Sequence, residues 1–325
     1  MWTSKVLAVM GALGAAVMGG VNAVAPNKDG IKSVPLRTHS FQPPYMDSDL
    51  QSRWFDWGGD TIVRVDQYIR LSSENRQGTS GYLWSKLPLT ATNWEIEFEF
   101  HIHGNNHLFG DGMAMWITKQ RALQGPVFGS IDNFEGLGLF FDTYKNNRPG
   151  VVFPYISAML GDGKTSYDHN NDGKDTELAG CSARGIRNAH GKTMARLTYF
   201  QEDYLRLELL YRDDGEWIEC FNVQNVTLPQ VAYLGFTAHC GELTDNHDII
   251  EVTAKNLYST DPTRPGPGSS GARKADTYHE KVYDYDNPSS GWGWFFVKLI
   301  LFVLVSVAGY VGFTAYRIRQ QKSRF

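Results

Sequence analysis

The chain has 325 residues, 42% of them hydrophobic and 13% aromatic, enough to bury a large core, so one sizeable domain with appended segments is the expected organisation. A formal net charge of −4 is too mild for a nucleic-acid surface, and no nucleic-acid partner is expected.

Residues 1–23 read as a secretory signal peptide: Lys5 supplies a basic start, Val6 to Val21 an apolar core, and Val21-Asn22-Ala23 a small-residue cleavage site. From Leu36 to Gly59 the chain is aromatic and broken by Pro43-Pro44, and Trp54 to Asp60 reads as a strand entering a turn. Thr61 to Leu71 alternates through Ile62, Val63, Val65, Tyr68 and Ile69, which favours a strand over a helix. The same short-strand rhythm recurs at Gly81–Trp84, Trp94–His101, Gly112–Ile117, Leu137–Phe141 and Val151–Met159. It continues at Thr193–Phe200, Tyr204–Tyr211, Trp217–Val223, Tyr233–Ala238 and Ile249–Tyr258. About a dozen strands separated by Gly, Asn and Asp turns, with no sustained helical period, predict an all-β sandwich.

After Ser259 the composition shifts to a Pro/Gly-rich run and then a polar, tyrosine-bearing stretch, so residues 260–293 read as a flexible stem. Residues 294–316 are apolar over a length that crosses a hydrocarbon core of roughly 30 Å as a helix. Trp292, Trp294 and Tyr316 mark its margins and Lys298 can snorkel, while Arg317, Arg319, Lys322 and Arg324 follow on the expected cytosolic side. The expectation is a type I membrane protein with a cytosolic tail at 317–325. In that topology Cys181, Cys220 and Cys240 lie in an oxidising compartment, where two can pair, and the sequence alone does not choose which. Asn225-Val226-Thr227 is the one usable glycosylation sequon, because Asn287 is followed by Pro288.

Chemistry concentrates in two oxygen-rich loops. The apolar run Leu137–Phe141 ends in Asp142-Thr143-Tyr144-Lys145-Asn146, and Tyr167 to Gly173 forms a second loop one strand later. Acidic, amide-rich loops on neighbouring strands suit a hard cation, since calcium takes six to eight oxygen ligands. An EF-hand explanation of Asp168-x-Asn170-x-Asp172-Gly173 fails, because the required acidic residue at loop position twelve would fall on Ala179 and no amphipathic helices flank the loop. Glu95, Glu97 and Glu99 share one strand face and invite a glycosidase reading, but Ile96, Phe98 and Phe100 supply the buried alternation and leave the glutamates as a solvent-facing row. Asp111, between two glycines, can project from a tight turn at a sheet rim. No Ser-centred elbow or zinc spacing is present, and His107, His169, His239 and His247 are too dispersed to read as a triad.

Together the stretches Phe55–Thr61, Gly110–Trp116, Gly125–Ser130, Phe141–Tyr144, Tyr167–His169, Leu178–Cys181 and Asp245–Asp248 resemble the leguminous-type lectins of the early secretory pathway, the type I cargo receptors that bind high-mannose glycans. The resemblance spans residues 35–259 and implies a concanavalin-like antiparallel β-sandwich, or jelly roll, with the sugar site on a concave rim. It implies calcium held by Asp142, the Tyr144 backbone carbonyl, Asn146 and Asp172, and mannose contacts from Asp111, Asn146, His169 and the loop Gly241, Glu242, Leu243. It also implies a Cys181–Cys220 disulfide that leaves Cys240 free. Relatives carry Gly-Asp-Leu or Gly-Gly-Leu where this chain has Gly241-Glu242-Leu243, and a further sugar contact that relatives place within Ser72–Ser80 has no clear counterpart. The tail RIRQQKSRF lacks a dilysine and ends in Phe325, which resembles an exit signal read by vesicle coats. The resulting expectation is a non-catalytic, calcium-dependent receptor for high-mannose glycoprotein cargo, cycling between endoplasmic reticulum, intermediate compartment and Golgi with its lectin domain luminal. The alternatives are a membrane-anchored glucanase using Glu95, Glu97 and Glu99, or a sandwich serving protein contacts alone.

Overall fold

The strand Trp94–His103 shows how the sequence builds the molecule. Its residues alternate without a break between the core (Trp94, Ile96, Phe98, Phe100, Ile102) and the outside (Glu95, Glu97, Glu99, His101, His103), as a half-solvated antiparallel sheet requires. The computed structural model, which describes residues 31–259, has fifteen strands. They are β1 Ile31–Pro35, β2 Phe55–Gly59, β3 Ile62–Arg64, β4 Tyr68–Ser72, β5 Ser80–Ser85, β6 Trp94–His103, β7 Gly112–Thr118 and β8 Glu135–Asp142, followed by β9 Tyr155–Asp162, β10 Glu177–Ser182, β11 Met194–Phe200, β12 Tyr204–Leu210, β13 Ile218–Gln224, β14 Tyr233–His239 and β15 Asn246–Ser259. The expected signal peptide, stem, membrane span and tail lie outside the described residues, and among those described no helix is long and apolar enough to cross a membrane.

Two antiparallel sheets face each other. One runs β13-β12-β11-β6-β15-β4-β3 with β1 added on β15, and the other runs β10-β9-β8-β7-β14-β5-β2. Between them lies the main core, where Phe98 and Phe100 of the first sheet meet Phe141 and Phe236 of the second edge-on at 4.9–5.8 Å. The all-β sandwich expectation therefore holds.

The centre of the second sheet is buried on both faces. Every residue of β7 is buried, and on its outer side Trp84, Trp116, Phe128, Phe134, Phe140 and Tyr167 form a second apolar cluster under the long loops. Double coverage explains why Met113–Ile117 and Leu137–Phe141 read as continuous apolar runs.

Two local expectations are corrected and one strand is added. Thr61–Leu71 is a hairpin of β3 and β4, turned where Gln67 donates to the Arg64 carbonyl at 2.8 Å. The strand expected at Val151–Met159 starts only at Tyr155, after Pro154, which has no N–H to give a ladder. Glu177–Ser182 is an edge strand, β10, that no hydrophobic pattern announced.

Candidate functional site

The ends of β7, β8 and β14 and the loops after β8 and β9 converge on a cavity of about 270 Å³. Asp111, Asp142, Tyr144, Asn146, His169 and His239 line its polar side, and Pro126, Phe128 and Tyr167 its apolar side. The apolar side is anchored to the outer cluster: Phe128 stacks on Phe140 at 5.2 Å, Tyr167 meets Phe140 at 4.9 Å, and His169 stands edge-on to Tyr167 at 4.9 Å.

Asp142 is the last residue of β8, and as the strand ends its carboxylate turns back to accept from the Tyr144 N–H at 3.0 Å. It is only 6% exposed. Burial first, and then the negative charge of Asp172, push its pKa well above the carboxylate range. Asp172, 2% exposed, sits in the left-handed region at φ 52°, a conformation that Asp tolerates better than most side chains. Gly173 follows at φ 65°, and a Cβ there would overlap the Tyr167 ring. This tight corner turns Asp172 inward, where its oxygens accept from the Asn146 backbone N–H at 3.2 Å and side-chain amide at 2.6 Å. Arg148 donates to the Asp172 carbonyl at 3.3 Å and pairs with Glu177 at 2.6 Å, pinning the loop to β10.

Asp168, by contrast, caps its own turn, accepting from the Asn170 N–H at 2.9 Å and the Asn171 amide at 2.6 Å. Asp168 does not line the cavity. Of the four expected oxygen donors, Asp142, Tyr144 and Asn146 line the cavity and Asp172 stands behind it, bonded to Asn146.

Asp111 follows Gly110 at the entry to β7. Its Oδ2 accepts from the Gly241 N–H and from His239 Nδ1, each at 3.0 Å, and its carbonyl accepts from the Thr143 N–H and hydroxyl, each at 3.0 Å. Although part of the His169 ring is open to solvent, desolvation against the pocket wall lowers its pKa despite the opposing charges of Asp132, Asp111 and Asp168.

The Gly241–Leu243 loop does not line the cavity itself; it borders it through Gly241. It is strapped to the segment after β4: Gln77 Nε2 donates to the Glu242 carbonyl at 2.8 Å, Gly78 N–H to the Gly241 carbonyl at 3.1 Å, and Cys240 N–H to the Thr79 carbonyl at 2.9 Å. Ser72–Ser80, left without a role by the sequence, is thus the brace of this loop. The sequence assigned no site role to His239 or to the apolar wall at Pro126 and Phe128, although Pro126 and Phe128 lie in the stretch Gly125–Ser130 that carries part of the family resemblance.

On the opposite sheet Glu95 pairs with Lys255 at 2.9 Å, Glu97 with Arg196 at 2.9 Å and Glu99 with Lys192 at 2.8 Å, so the three glutamates form a laced outer surface. Cys181 and Cys220 are joined by a disulfide, and Cys240 is free and buried. Asn225 is exposed, just after β13.

Sheet order and site together define a legume-lectin-like sandwich with an oxygen-rich rim pocket. The chain belongs to the legume-like lectin family, whose signature matches residues 32–264. It is 35% identical over 311 residues to the human vesicular integral-membrane protein VIP36, covering 91% of this chain and 86% of that protein. It is 32% identical to an L-type lectin-like domain-containing protein of Schizosaccharomyces pombe, covering 89% of this chain and 90% of the other. Among solved structures it resembles the VIP36 exoplasmic/lumenal domain in a Ca2+/Man2-bound form, at 39% identity and TM-score 0.64, covering 68% of this chain and 89% of that one.

Proposed function

We propose that this protein is a calcium-dependent lectin for high-mannose glycans and a cargo receptor of the early secretory pathway. The observation that carries this reading is the double engagement of Asn146. Its main chain and side chain are held by the buried Asp172 carboxylate, and the same residue lines the cavity shared with Asp111 and His169.

Calcium suits the donors. Asp142 and Asp172 bring two carboxylates into a buried space, and a divalent cation bound there removes their repulsion and fixes the loop. Asn146 and Asp111 are then ordered before a sugar arrives, so their hydroxyl partners are met without the entropy cost of arranging them. VIP36 has been crystallised in Ca2+/Man2-bound and Ca2+/Man3GlcNAc-bound forms, which supports both ligands for this relative. The name of that relative, together with residues 1–23 and 294–316, supports single-pass residence in secretory-pathway membranes with residues 24–293 luminal and 317–325 available to vesicle coats. Nothing in this reading calls for catalysis.

A glycan array probed with the full-length chain, with and without calcium, is the direct test. Signal is expected on high-mannose glycans, lost with chelator, and lost in Asp111→Asn and Asn146→Ala. Retention unchanged by chelator would remove calcium from the account, and an array blank in both conditions would favour a protein-contact role.

A further inference from the structure

We propose that His239 is a positioning residue of the sugar site, holding the Asp111 carboxylate in the orientation that meets ligand. This inference rests on the lectin reading above.

His239 is the last residue of β14, opposite Gly112 of β7 and Ser80 of β5. Side chains alternate along β14, so Leu234, Phe236 and Ala238 enter the main core, while Thr237 and His239 face the outer cluster and the cavity. His239 grips Asp111 twice. Its backbone carbonyl accepts from the Asp111 N–H at 3.3 Å, and its Nδ1 lies 3.0 Å from Asp111 Oδ2. Because a carboxylate oxygen only accepts, Nδ1 carries the proton in this contact.

The grip has a directional consequence. Gly241 N–H and His239 Nδ1–H both point at Oδ2, and Oδ1 has no partner among the described residues. The carboxylate is therefore fixed edge-on, with one oxygen engaged and the other left to accept a sugar hydroxyl. The Asp111 side chain is 41% exposed, so without the imidazole only the Gly241 N–H holds it, and more of its ordering falls on the binding step. The Gly241 N–H alone does not select the carboxylate plane. His239 thus acts through Asp111, and through the same oxygen ties Asp111 to the Gly241–Leu243 loop.

The test measures binding of mannobiose to the full-length chain by calorimetry in saturating calcium, alongside calcium affinity. His239→Ala is expected to weaken mannobiose about tenfold, the worth of a hydrogen bond to a charged group, with calcium affinity unchanged. His239→Asn places an amide N–H where Nδ1 stood and is expected to stay within about threefold of wild type. If His239→Ala does not fold, His239→Leu is read in its place. The proposal is overturned if the variant lacking the N–H binds within about twofold of wild type. It is equally overturned if Asn is as weak as Ala, or if the loss follows a fall in calcium affinity. A wild-type chain that ignores mannobiose overturns the lectin reading, a failure visible before any variant is made.

Discussion

Asp142 and Asp172 set two carboxylates close enough to repel in a place that water scarcely reaches, and burial adds to the repulsion in raising the Asp142 pKa. Such a pair stabilises nothing by itself. It is tolerated because the Asn146 amides and the Tyr144 N–H satisfy some of the oxygens, and because a cation can neutralise the rest. The sign of a mutation follows. In chelator, Asp142→Asn removes one buried charge and keeps the shape, so its unfolding midpoint is expected to equal or exceed that of wild type. In calcium the order reverses, since wild type gains about 2.7 kcal/mol at a calcium concentration a hundredfold above Kd and the variant gains almost none. Thermal unfolding of both proteins, each with calcium and with chelator, checks this. A variant markedly weaker than wild type in chelator would mean that Asp142 is a structural acceptor and not a strained anion. The sequence singles these residues out by their place after an apolar run and in an oxygen-rich loop, although Asp, Asn and Gly are also ordinary turn residues. His239 was not legible: its role comes from a sheet neighbour 128 positions away, and no local spacing announces that.

At the scale of elements, β15 joins the site to the sandwich. Its first residues pair with β4 and β6, and here the chain buries His247 completely. Ser72 Oγ lies 2.7 Å from His247 Nδ1, while Nε2 is enclosed with no partner among the described residues. Desolvation, opposed by the charges of Asp245, Asp248 and Asp111, pushes the His247 pKa from 6.5 down to about 4. The next residue behaves oppositely. Burial acts to raise the Asp248 pKa, but Arg70 at 2.7 Å and His103 at 3.0 Å outweigh it and hold it below the carboxylate range. A depressed histidine contributes stability that is complete above pH 6.5 and is lost as pH falls through about 4. The full loss is about 3 kcal/mol at 1.36 kcal/mol per pKa unit. Denaturant titrations between pH 7.5 and 4.5 are expected to show a slope that His247→Gln flattens, and an unchanged slope in the variant would rule out His247 as its source. Elements with a strict period were easy to foresee, as β6 shows from Trp94 to His103. β10 was not, because its pattern Glu-Leu-Ala-Gly-Cys-Ser has no β-branched residue, and it is a strand only because β9 offers it an edge. The β3–β4 hairpin was misread as one strand because Ile62 stays 47% exposed despite being apolar, so the alternation there says little about burial.

On the scale of the whole molecule, both sheets end at the Cys181–Cys220 disulfide. Cys181 lies on β10, the edge of the sheet that carries the site, and Cys220 on β13, the edge of the other. The bond therefore clips two open edges of a sandwich that is otherwise joined through side-chain packing. It closes a separation of 39 residues, and loop-closure entropy assigns such a link about 4 kcal/mol of stability. The site hangs on the same end of β8 and β9 as β10's cysteine: Asp142 pairs with Tyr155 across the sheet, and Tyr155 in turn faces Ser182, one residue beyond Cys181, while the Asp172 loop enters β10 at its other end, at Glu177. The Arg148–Glu177 pair fixes that entry independently of the disulfide. Replacing both cysteines by serine is therefore expected to lower the unfolding free energy by most of that amount while leaving the affinity of the folded protein for calcium and mannobiose within about twofold. Denaturant unfolding and calorimetry on the same double variant separate the two effects. A folded variant that has lost calcium affinity would show that the edge clip, and not the Arg148–Glu177 pair, sets the position of the Asp172 loop.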